Sequence, residues 1–349
     1  MKKIIILILI GIYINTFAIK NWKIYTNTNH IYDIQQIGNE LYLASWGGLE
    51  IYDLNNEQLK EKYTTIDGLS NNELRALDYI QEKNILMIGT KGNGVDRLEN
   101  SNFIMSINEI IGLASDLVNK IVHKDSLIIV ATKEGVSIFA DNPEFPFPFL
   151  VNNYTIENGL SANNITSLQV SEDGYLYCGS EFGLDIVHID SMNVLSAWDH
   201  INEDNSIIPS EKISSISLNN NTIAIGTGSG VILTDNIHNP GSWTIYKEGE
   251  PIYPVYLDNE NNLWFSYGVW NDDILTIQDS SDYAVTKIPE SGTEISWLKG
   301  EAGLNTSDIM GFEEINGQIC AFTWGEGLFF YDGNDWDSNV KSDCIIANL

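Results

Sequence analysis

The sequence predicts an all-β fold, a seven-bladed β-propeller made of four-stranded antiparallel blades. A pattern of short strands and glycine turns recurs every ~45 residues, which is the length of one propeller blade. Within each repeat, apolar and polar residues alternate as they do in half-buried strands. No long amphipathic helical pattern interrupts the repeats. We therefore expect one uninterrupted propeller over residues 19–335, because a single blade cannot bury both of its faces.

The glycine that opens the third strand of each unit measures the period. It recurs at Gly48, Gly94, Gly135, Gly183, Gly230 and Gly327. The spacings are 46, 41, 48, 47 and 97 residues, and the last of these covers two periods. One degraded unit that lacks this glycine must therefore lie between the last two glycines, with strands predicted at 252–257, 263–267 and 274–278. Counting this unit gives seven. A Gly-Leu turn at Gly68, Gly112, Gly159 and Gly303 supports the same division.

The order of strands predicts how the ring closes. The first unit begins with an outer strand at Trp22, whereas the seventh ends with its third strand at 329–332. The N-terminal strand is therefore predicted to complete the last blade. A similar outer-strand sequence at 335–340 leaves two alternatives open. Either it competes with Trp22 for the last blade, or residues 336–349 are a tail or the start of a further repeat, which would make the chain a fragment.

The N-terminus has the features of a secretory signal. Lys2 and Lys3 precede an apolar run over 4–14, and small residues stand at Thr16 and Ala18. This pattern predicts a signal peptide over residues 1–18. The run is shorter than the roughly 20 apolar residues of a membrane helix, although an uncleaved anchor is the alternative. No later segment is long and apolar enough to span a bilayer, so we expect a periplasmic or cell-surface protein.

The charge of the chain excludes several partners. The formal net charge is −30, and loss of the two signal lysines leaves 16 basic against 48 acidic side chains, or −32. The only arginines are Arg75 and Arg97, and no basic cluster exists in the sequence. Nucleic acid and anionic membranes need such clusters, so neither is an expected partner. The odd number of cysteines, Cys178, Cys320 and Cys344, predicts no structural disulfide and at least one free thiol.

No catalytic or metal-binding pattern is found in the sequence. The five histidines are scattered without metal-type pairing. The glycine-rich segment 226–230 lacks the Lys-Ser/Thr ending of a phosphate loop. The acidic turns 171–174 and 258–262 carry oxygen ligands, but neither reproduces a calcium loop. We therefore expect no cofactor, no metal and no catalysis.

The alternative from another class is a propeller-fold polysaccharide lyase or hydrolase. It needs His, Arg, Tyr or carboxylate side chains that converge at the channel mouth. The two arginines are predicted to be poorly placed for this chemistry. Arg75 starts an inner strand and Arg97 lies in a third strand.

Several segments resemble the two-component regulator propeller repeat. Residues 63–72 and then 86–95 resemble its approximate pattern of aromatic-Thr-x-x-Asp-Gly-Leu-x-Asn, an inner strand, and a Gly-Thr-x-x-Gly turn. Residues 154–160, 173–184 and 262–264 also fit. The resemblance implies a periplasmic or cell-surface propeller, which in many members is the sensor half of a receptor for polysaccharide fragments. The pattern is also similar to the first propeller of a type IX secretion surface component. Residues 1–349 contain no kinase or DNA-binding segment, so we expect no signalling by this chain alone.

The candidate binding residues follow the end of each second strand. The turn there should share a face with the turns that lead into the inner strands, and propellers usually place their sites on that face. The candidate ligand-binding residues are Trp46, Trp324, Tyr267, Trp270, Lys91, Lys133 and Phe182. The first and seventh units are neighbours in the ring, so the tryptophans and Tyr267 are predicted to form one aromatic arc. The two lysines are predicted to form the next arc.

This arc suggests a ligand class. Flat aromatic faces stack against the C–H face of a sugar, and the lysines would suit an anionic sugar or a carboxylate. The competing interpretation is that the tryptophans only hold neighbouring blades together. We therefore predict a non-catalytic, extracytoplasmic binding module. Its partner is either an oligosaccharide or another glycan-like ligand, or an envelope or secretion protein, since an exposed aromatic cluster fits both.

Overall fold

A computed structural model describes residues 26–141, 147–271, 276–278 and 282–340 of the chain. Seven four-stranded antiparallel sheets succeed one another along the sequence, which confirms the predicted seven-bladed propeller. In each blade the strands follow the chain order inner, second, third and outer. The predicted signal peptide, Trp22 and Cys344 lie outside the described residues. Within the described residues, no helix is long and apolar enough to span a membrane.

The first four blades are regular. Blade 1 contains β1 (Ile31–Ile37), β2 (Glu40–Ser45), β3 (Gly48–Asp53) and β4 (Gln58–Tyr63). Blade 2 contains β5 (Leu74–Ile80), β6 (Ile85–Thr90), β7 (Val95–Glu99) and β8 (Asn102–Ile107). Blade 3 contains β9 (Val118–Lys124), β10 (Leu127–Thr132), β11 (Gly135–Ala140) and β12 (Phe149–Tyr154). Blade 4 contains β13 (Ser167–Val170), β14 (Tyr175–Ser180), β15 (Gly183–His188) and β16 (Asp199–Ile201).

The last three blades include blade 6, which is formed by the degraded sixth unit of the sequence. Blade 5 contains β17 (Ile213–Asn219), β18 (Thr222–Thr227), β19 (Gly230–Thr234) and β20 (Thr244–Tyr246). Blade 6 contains β21 (Ile252–Leu257), β22 (Leu263–Tyr267), β25 (Tyr283–Ile288) and β26 (Ile295–Leu298), with a separate hairpin of β23 (Val269–Asn271) and β24 (Thr276–Gln278). Blade 7 contains β27 (Ile309–Ile315), β28 (Gln318–Thr323), β29 (Leu328–Tyr331) and β30 (Trp336–Val340).

The glycine that opens each third strand is needed for two reasons. All six recurring glycines have φ values between 79° and 138°, a region that other residues rarely adopt. A Cβ at Gly135 would also lie 2.3 Å from the carbonyl oxygen of Tyr154 in the outer strand. The Ser or Thr that ends the second strand closes the same turn by donating its hydroxyl to the glycine carbonyl, as from Thr132 to Gly135 at 2.8 Å. The repeat of about 45 residues in the sequence therefore corresponds to the recurrence of this one turn in successive blades.

Blade 6 departs from the predicted strand assignment. Its third strand is Tyr283–Ile288, so the prediction of a third strand at 274–278 is wrong. Residues Thr276–Gln278 instead pair with Val269–Asn271 in the separate hairpin. The insertion lengthens the turn between the second and third strands. The usual hydroxyl bond survives across it, because the Ser266 hydroxyl donates to the Ala284 carbonyl at 2.6 Å.

The ring does not close as predicted. The outer strand of blade 7 is Trp336–Val340, so the prediction that the N-terminal strand completes this blade is wrong. The propeller therefore extends to Val340, beyond the expected boundary at residue 335. The physical reason is locality, because a strand that follows a short turn pays little chain entropy to pair. Blades 1 and 7 meet side by side through a bridge between His30 and Trp324.

The core is divided among the blade interfaces. Seven clusters of buried apolar side chains each join two neighbouring blades, including blades 7 and 1. Burial of this apolar surface on both sides of every sheet holds the ring together. Cys178 and Cys320 are buried free thiols in blades 4 and 7, and burial raises the pKa of both.

Candidate ligand-binding site at the mouth of the central channel

A β-bulge recurs near the start of the inner strands. The register shifts between Ile31 and Asp33 in blade 1, and between Leu74 and Ala76 in blade 2. Equivalent shifts occur in blades 3, 5, 6 and 7. A bulge inserts one extra residue and redirects its side chain. The residues inserted at these shifts are Tyr32, Arg75, Asn119, Ser214, Tyr253 with Pro254, and Met310.

The redirected side chains line one cavity. Its volume is about 140 Å³, and each of the seven blades contributes to it, so it is the mouth of the central channel. Its lining consists of Tyr32, Arg75, Asn119, Lys120, Asn164, Thr166, Lys212, Ile213, Ser214, Tyr253, Val269 and Met310. The mouth opens on the face that carries the turns between second and third strands, because Ile31 of the inner strand pairs with Ser45 at the end of the second. We call this the turn-rich face.

The mouth concentrates cations around a shared carboxylate. Glu73 Oε1 lies 3.2 Å from Arg75 Nη2 and 2.9 Å from Lys91 Nζ. The Arg75 guanidinium also lies 4.2 Å from the centre of the Tyr32 ring, which is a cation–π distance. Lys120 Nζ is 3.2 Å from Asp33 Oδ2. Arg75, Lys91, Lys120 and Lys212 thus lie at or beside the mouth, where Glu73 pairs with the first two and Asp33 with Lys120.

The position of Arg75 differs from the position expected from the sequence. We expected neither arginine to be placed at the channel mouth, and for Arg75 this is wrong. The bulge explains the difference, because in a regular strand this side chain would point toward a neighbouring blade. Arg97 is remote from the mouth, since its side chain lies 3.7 Å from Asp141 and 3.9 Å from Glu99.

An aromatic cluster adjoins the mouth at the seam between blades 1 and 7. The indoles of Trp46 and Trp324 stack at a centroid distance of 5.5 Å with 20° between their planes. Trp324 also meets the His30 ring at 4.2 Å and the Tyr32 ring at 5.0 Å. The outer member of the cluster is accessible, because Trp46 is 39% exposed whereas Trp324 is 9% exposed. Burial lowers the pKa of His30.

Charge contacts continue below the mouth. The pKa of Glu313 in the inner strand of blade 7 is raised to about 8, mainly by burial and further by repulsion from Asp33. Lys120 opposes this shift. His123 Nδ1 lies 2.8 Å from Asp78 Oδ2, and this hydrogen bond raises the pKa of His123. Burial raises the pKa of Asp78 despite the same bond, so desolvation dominates there.

The predicted site residues fall into separate places. Trp46 and Trp324 lie together as predicted, and Lys91 contacts Glu73 beside the mouth. Tyr267 is 2% exposed, and its hydroxyl contacts Thr286 Oγ1 at 2.8 Å, so its inclusion in an exposed aromatic arc is wrong. It ends β22 as a core residue between blades 5 and 6.

The other candidates do not join the aromatic pair. The side chain of Trp270 lies outside the described residues. Phe182 is exposed on blade 4 and Lys133 on blade 3, away from the seam between blades 1 and 7. Sequence reasoning missed Tyr32, Asn119, Lys120 and Lys212. The signal that could have found them is the pairing of each inner strand with its second strand. If this pairing is counted back from the Ser or Thr that ends the second strand, the inner strand has one residue too many, and that residue lies at the bulge.

In the acidic turn 258–262, the carboxylate of Asp258 accepts hydrogen bonds from neighbouring groups of the protein. Asp258 accepts hydrogen bonds from the backbone N–H groups of Glu260 and Asn262 at 3.0 and 2.8 Å. It also accepts from the side chains of Asn262 and Trp264, both at 2.8 Å. Its lone pairs therefore serve the turn and the indole. Within the described residues, no group of three or more His, Cys, Asp or Glu side chains is arranged to hold a metal ion.

Comparisons with solved structures agree with this architecture. The chain is similar to the extracellular domain of a putative hybrid two-component system from B. thetaiotaomicron, with a TM-score of 0.68 and 18% identity. It is also similar to PorZ, a surface component of the type-IX secretion system of Porphyromonas gingivalis, with a TM-score of 0.64 and 12% identity. These alignments cover 87% and 90% of this chain.

The two similar structures are much longer than this chain. The chain spans 40% and 39% of the length of those two structures. The WD40 propeller of Doa1 is covered to 93%, over 87% of this chain, at 11% identity and a TM-score of 0.57. The sequence matches no protein-family model and no curated protein. At these identities the similarities establish the propeller fold, and they include the two kinds of protein that the repeat resembles.

Proposed function

We propose that this protein is an extracytoplasmic, non-catalytic binding module that recognises a glycan-like ligand on its turn-rich face. The observation that carries the proposal is the stacked pair of Trp46 and Trp324 beside the channel mouth. An accessible indole on a rigid support offers a flat apolar face at little entropic cost. The hydroxyl and amide groups of the mouth stand next to it, as a sugar requires.

The platform is rigid because its members hold one another. The backbone N–H of Trp46 donates to the His30 carbonyl at 3.0 Å, and that of Trp324 donates to the Asp308 carbonyl at 2.9 Å. His30 and Tyr32 support the inner indole edge-on. Trp46 therefore presents its indole from a fixed turn rather than from a mobile loop.

The test is a glycan array followed by calorimetric titration of any glycan retained. We expect Trp46→Ala to weaken binding at least about five-fold, by analogy with the stacking of a nucleobase on an aromatic side chain, which is worth about 1–3 kcal/mol. Trp46→Phe should retain part of the affinity. Phe182→Ala on blade 4 is the matched control for an exposed aromatic residue and should have no effect. Unchanged binding by Trp46→Ala would show that the pair only joins blades 1 and 7.

A second candidate function is docking of an envelope or secretion protein. The supporting observation is a set of exposed isoleucines in successive connections between blades: Ile66 at 49%, Ile110 at 92% and Ile156 at 59% exposure. Phe182 adds a further exposed ring at 53%. If a partner protein binds there, Ile110→Asp and Ile156→Asp will abolish its co-purification, whereas Trp46→Ala will leave it intact.

A polysaccharide lyase or hydrolase, the catalytic alternative, requires groups such as an arginine at the channel mouth, and Arg75 lies there. We still propose a non-catalytic role, because Glu73 is occupied by Tyr32, Arg75 and Lys91 at 2.9–3.3 Å. A carboxylate that holds three donors is poorly available as a base. The same titrations should therefore generate no reducing ends and no unsaturated uronate absorbance, and either product would refute this part of the proposal.

A further inference from the structure

We infer that the channel mouth is an anion-binding subsite that receives a carboxylate or sulfate group of an acidic glycan stacked on Trp46. Arg75, Lys120 and Lys212 would contact the anion. The inference rests on the proposed function and adds the chemical class of the ligand. It depends on residues that the sequence analysis did not select.

The first argument is the distribution of charge. The chain has 18 basic and 48 acidic side chains, so a random patch of its surface should be acidic. The mouth instead brings together cations from blades 2, 3 and 5, namely Arg75, Lys120 and Lys212. A concave site lined with one sign of charge concentrates ligands of the opposite sign. Among the described residues, the lining of the mouth includes these three cationic side chains and no acidic one, so it favours anions.

The second argument is that the cations differ in how they are held. Arg75 is 8% exposed and is fixed by Glu73 and the Tyr32 ring, so its guanidinium is preorganised. Lys212 is exposed, and no ion pair forms at its ammonium among the described residues. A fixed guanidinium gives directional recognition of carboxylate or sulfate, whereas a flexible ammonium adds charge. The combination suits an anion that enters from solvent.

The third argument is the low net charge of three acids near the mouth, Glu73, Asp33 and Glu313. The carboxylates of Glu73 and Asp33 are already paired with cations of the mouth. Glu313, whose pKa is about 8, is mostly protonated and uncharged at pH 7. No unpaired ionised acid among these three groups opposes an incoming anion.

The fourth argument links the anion site to the sugar platform. Trp46 stacks on Trp324, Trp324 meets Tyr32 at 5.0 Å, and Tyr32 lies 4.2 Å from the Arg75 guanidinium. These contacts form a continuous path from the exposed indole to the cations. A single acidic oligosaccharide can therefore stack one residue on Trp46 and place an anionic group at the mouth. An acidic peptide would reach the cations but would make no comparable use of the indole face.

The test compares matched acidic and neutral probes on the mature chain. Calorimetry would measure trigalacturonate and its fully methylated ester, a sulfated trisaccharide and its unsulfated form, and an oligoglutamate peptide. We expect the acidic glycans to bind at least about ten-fold more tightly than their neutral partners and than the peptide, since one charge-assisted contact is worth about this factor. Affinity should fall as salt rises, because partly exposed charges are screened.

Variants locate the anion site. Lys212→Gln changes an exposed side chain and should fold normally, and we expect it to weaken acidic-glycan binding about two- to five-fold without changing neutral-glycan binding. Arg75→Gln should have a larger effect, provided that its melting temperature is preserved. Lys60→Gln removes an exposed cation from the outer strand of blade 1 and is the charge-matched control, with no expected effect.

Several outcomes of these measurements would overturn the inference, and the first three concern relative affinities. They are equal binding of neutral and acidic glycans, tighter binding of the peptide, and equal effects of Lys212→Gln and Lys60→Gln. Absence of binding by every acidic probe would overturn it as well. The proposed function fails separately, because neutral-glycan binding that depends on Trp46 would sustain that function even where the anion site is refuted.

Discussion

Two tryptophan clusters in the same propeller have opposite surroundings. The seam cluster between blades 1 and 7 contains Trp46 and Trp324 with His30 and Tyr32. The core cluster between blades 6 and 7 contains Trp264, Trp297 and Trp336, whose ring centroids are 5.8–6.1 Å apart. The members of the core cluster are 1%, 7% and 3% exposed, whereas Trp46 is 39% exposed. A stacked pair of indoles thus occurs both in the core, as Trp264 and Trp297, and at the surface, as Trp46 and Trp324.

The difference lies in which strand position each indole occupies. Trp264 is in a second strand, and Trp297 and Trp336 are in outer strands, where neighbouring blades cover them. Trp46 stands in the turn after a second strand, at the edge of the ring face. Trp324 stands in the equivalent turn of blade 7 but is only 9% exposed, because His30, Tyr32 and Trp46 pack against it, and Trp46 is the member of the pair that remains accessible to a ligand. Exposure rather than residue type therefore distinguishes binding candidates from packing residues.

The largest expected effect is on the core cluster. Trp264→Ala should lower the free energy of unfolding by about 3–5 kcal/mol, because a fully buried indole is replaced by a cavity. Chemical denaturation would measure the loss. Trp46→Ala is the comparison within the same protein and should cost less than about 1 kcal/mol, as surface substitutions usually do. Similar losses in the two variants would mean that the seam cluster is also a structural core.

A smaller effect is expected for the carboxylate that holds the core cluster. Asp258→Ala removes the acceptor of the Trp264 indole N–H and of the turn amides. We expect a loss of about 2–3 kcal/mol in chemical denaturation, because buried donors are left without acceptors. Asp173→Ala, in the exposed acidic turn of blade 4, is the matched control and should cost under about 0.5 kcal/mol. Equal losses in the two variants would contradict the importance of the bond to the indole.

The smallest effect is expected for the histidine of the seam cluster. Burial lowers the pKa of His30 below its usual 6.5, so the unfolded chain binds a proton at this site before the folded chain does. The contribution of neutral His30 to stability is therefore full above pH 6.5 and declines as pH falls through that value. His30→Gln should flatten the pH dependence of the melting temperature between about pH 7 and 5. An unchanged slope would show that burial does not lower the pKa of His30.

The sequence predicted the parts of this protein that depend on local chemistry. The third-strand glycines, such as Gly135, are required by positive φ and by contact with one outer strand, so their spacing revealed the blades. The adjacency of Trp46 and Trp324 followed from ring order. In blade 6 an inserted hairpin with its own strand-like residues displaced the expected third strand. At the last blade the two candidate outer strands could not be ranked from sequence.

What the sequence determined by itself is the number of blades and the face on which their turns gather, because each blade is specified by residues within one repeat. What only the tertiary structure decided is which side chains converge at the axis. Tyr32, Arg75 and Asn119 come from three blades and are redirected by bulges. A bulge shifts a side chain by one residue of register, and alternating apolar and polar positions in a short strand do not reveal that shift. The cationic mouth therefore follows from the assembly of the ring.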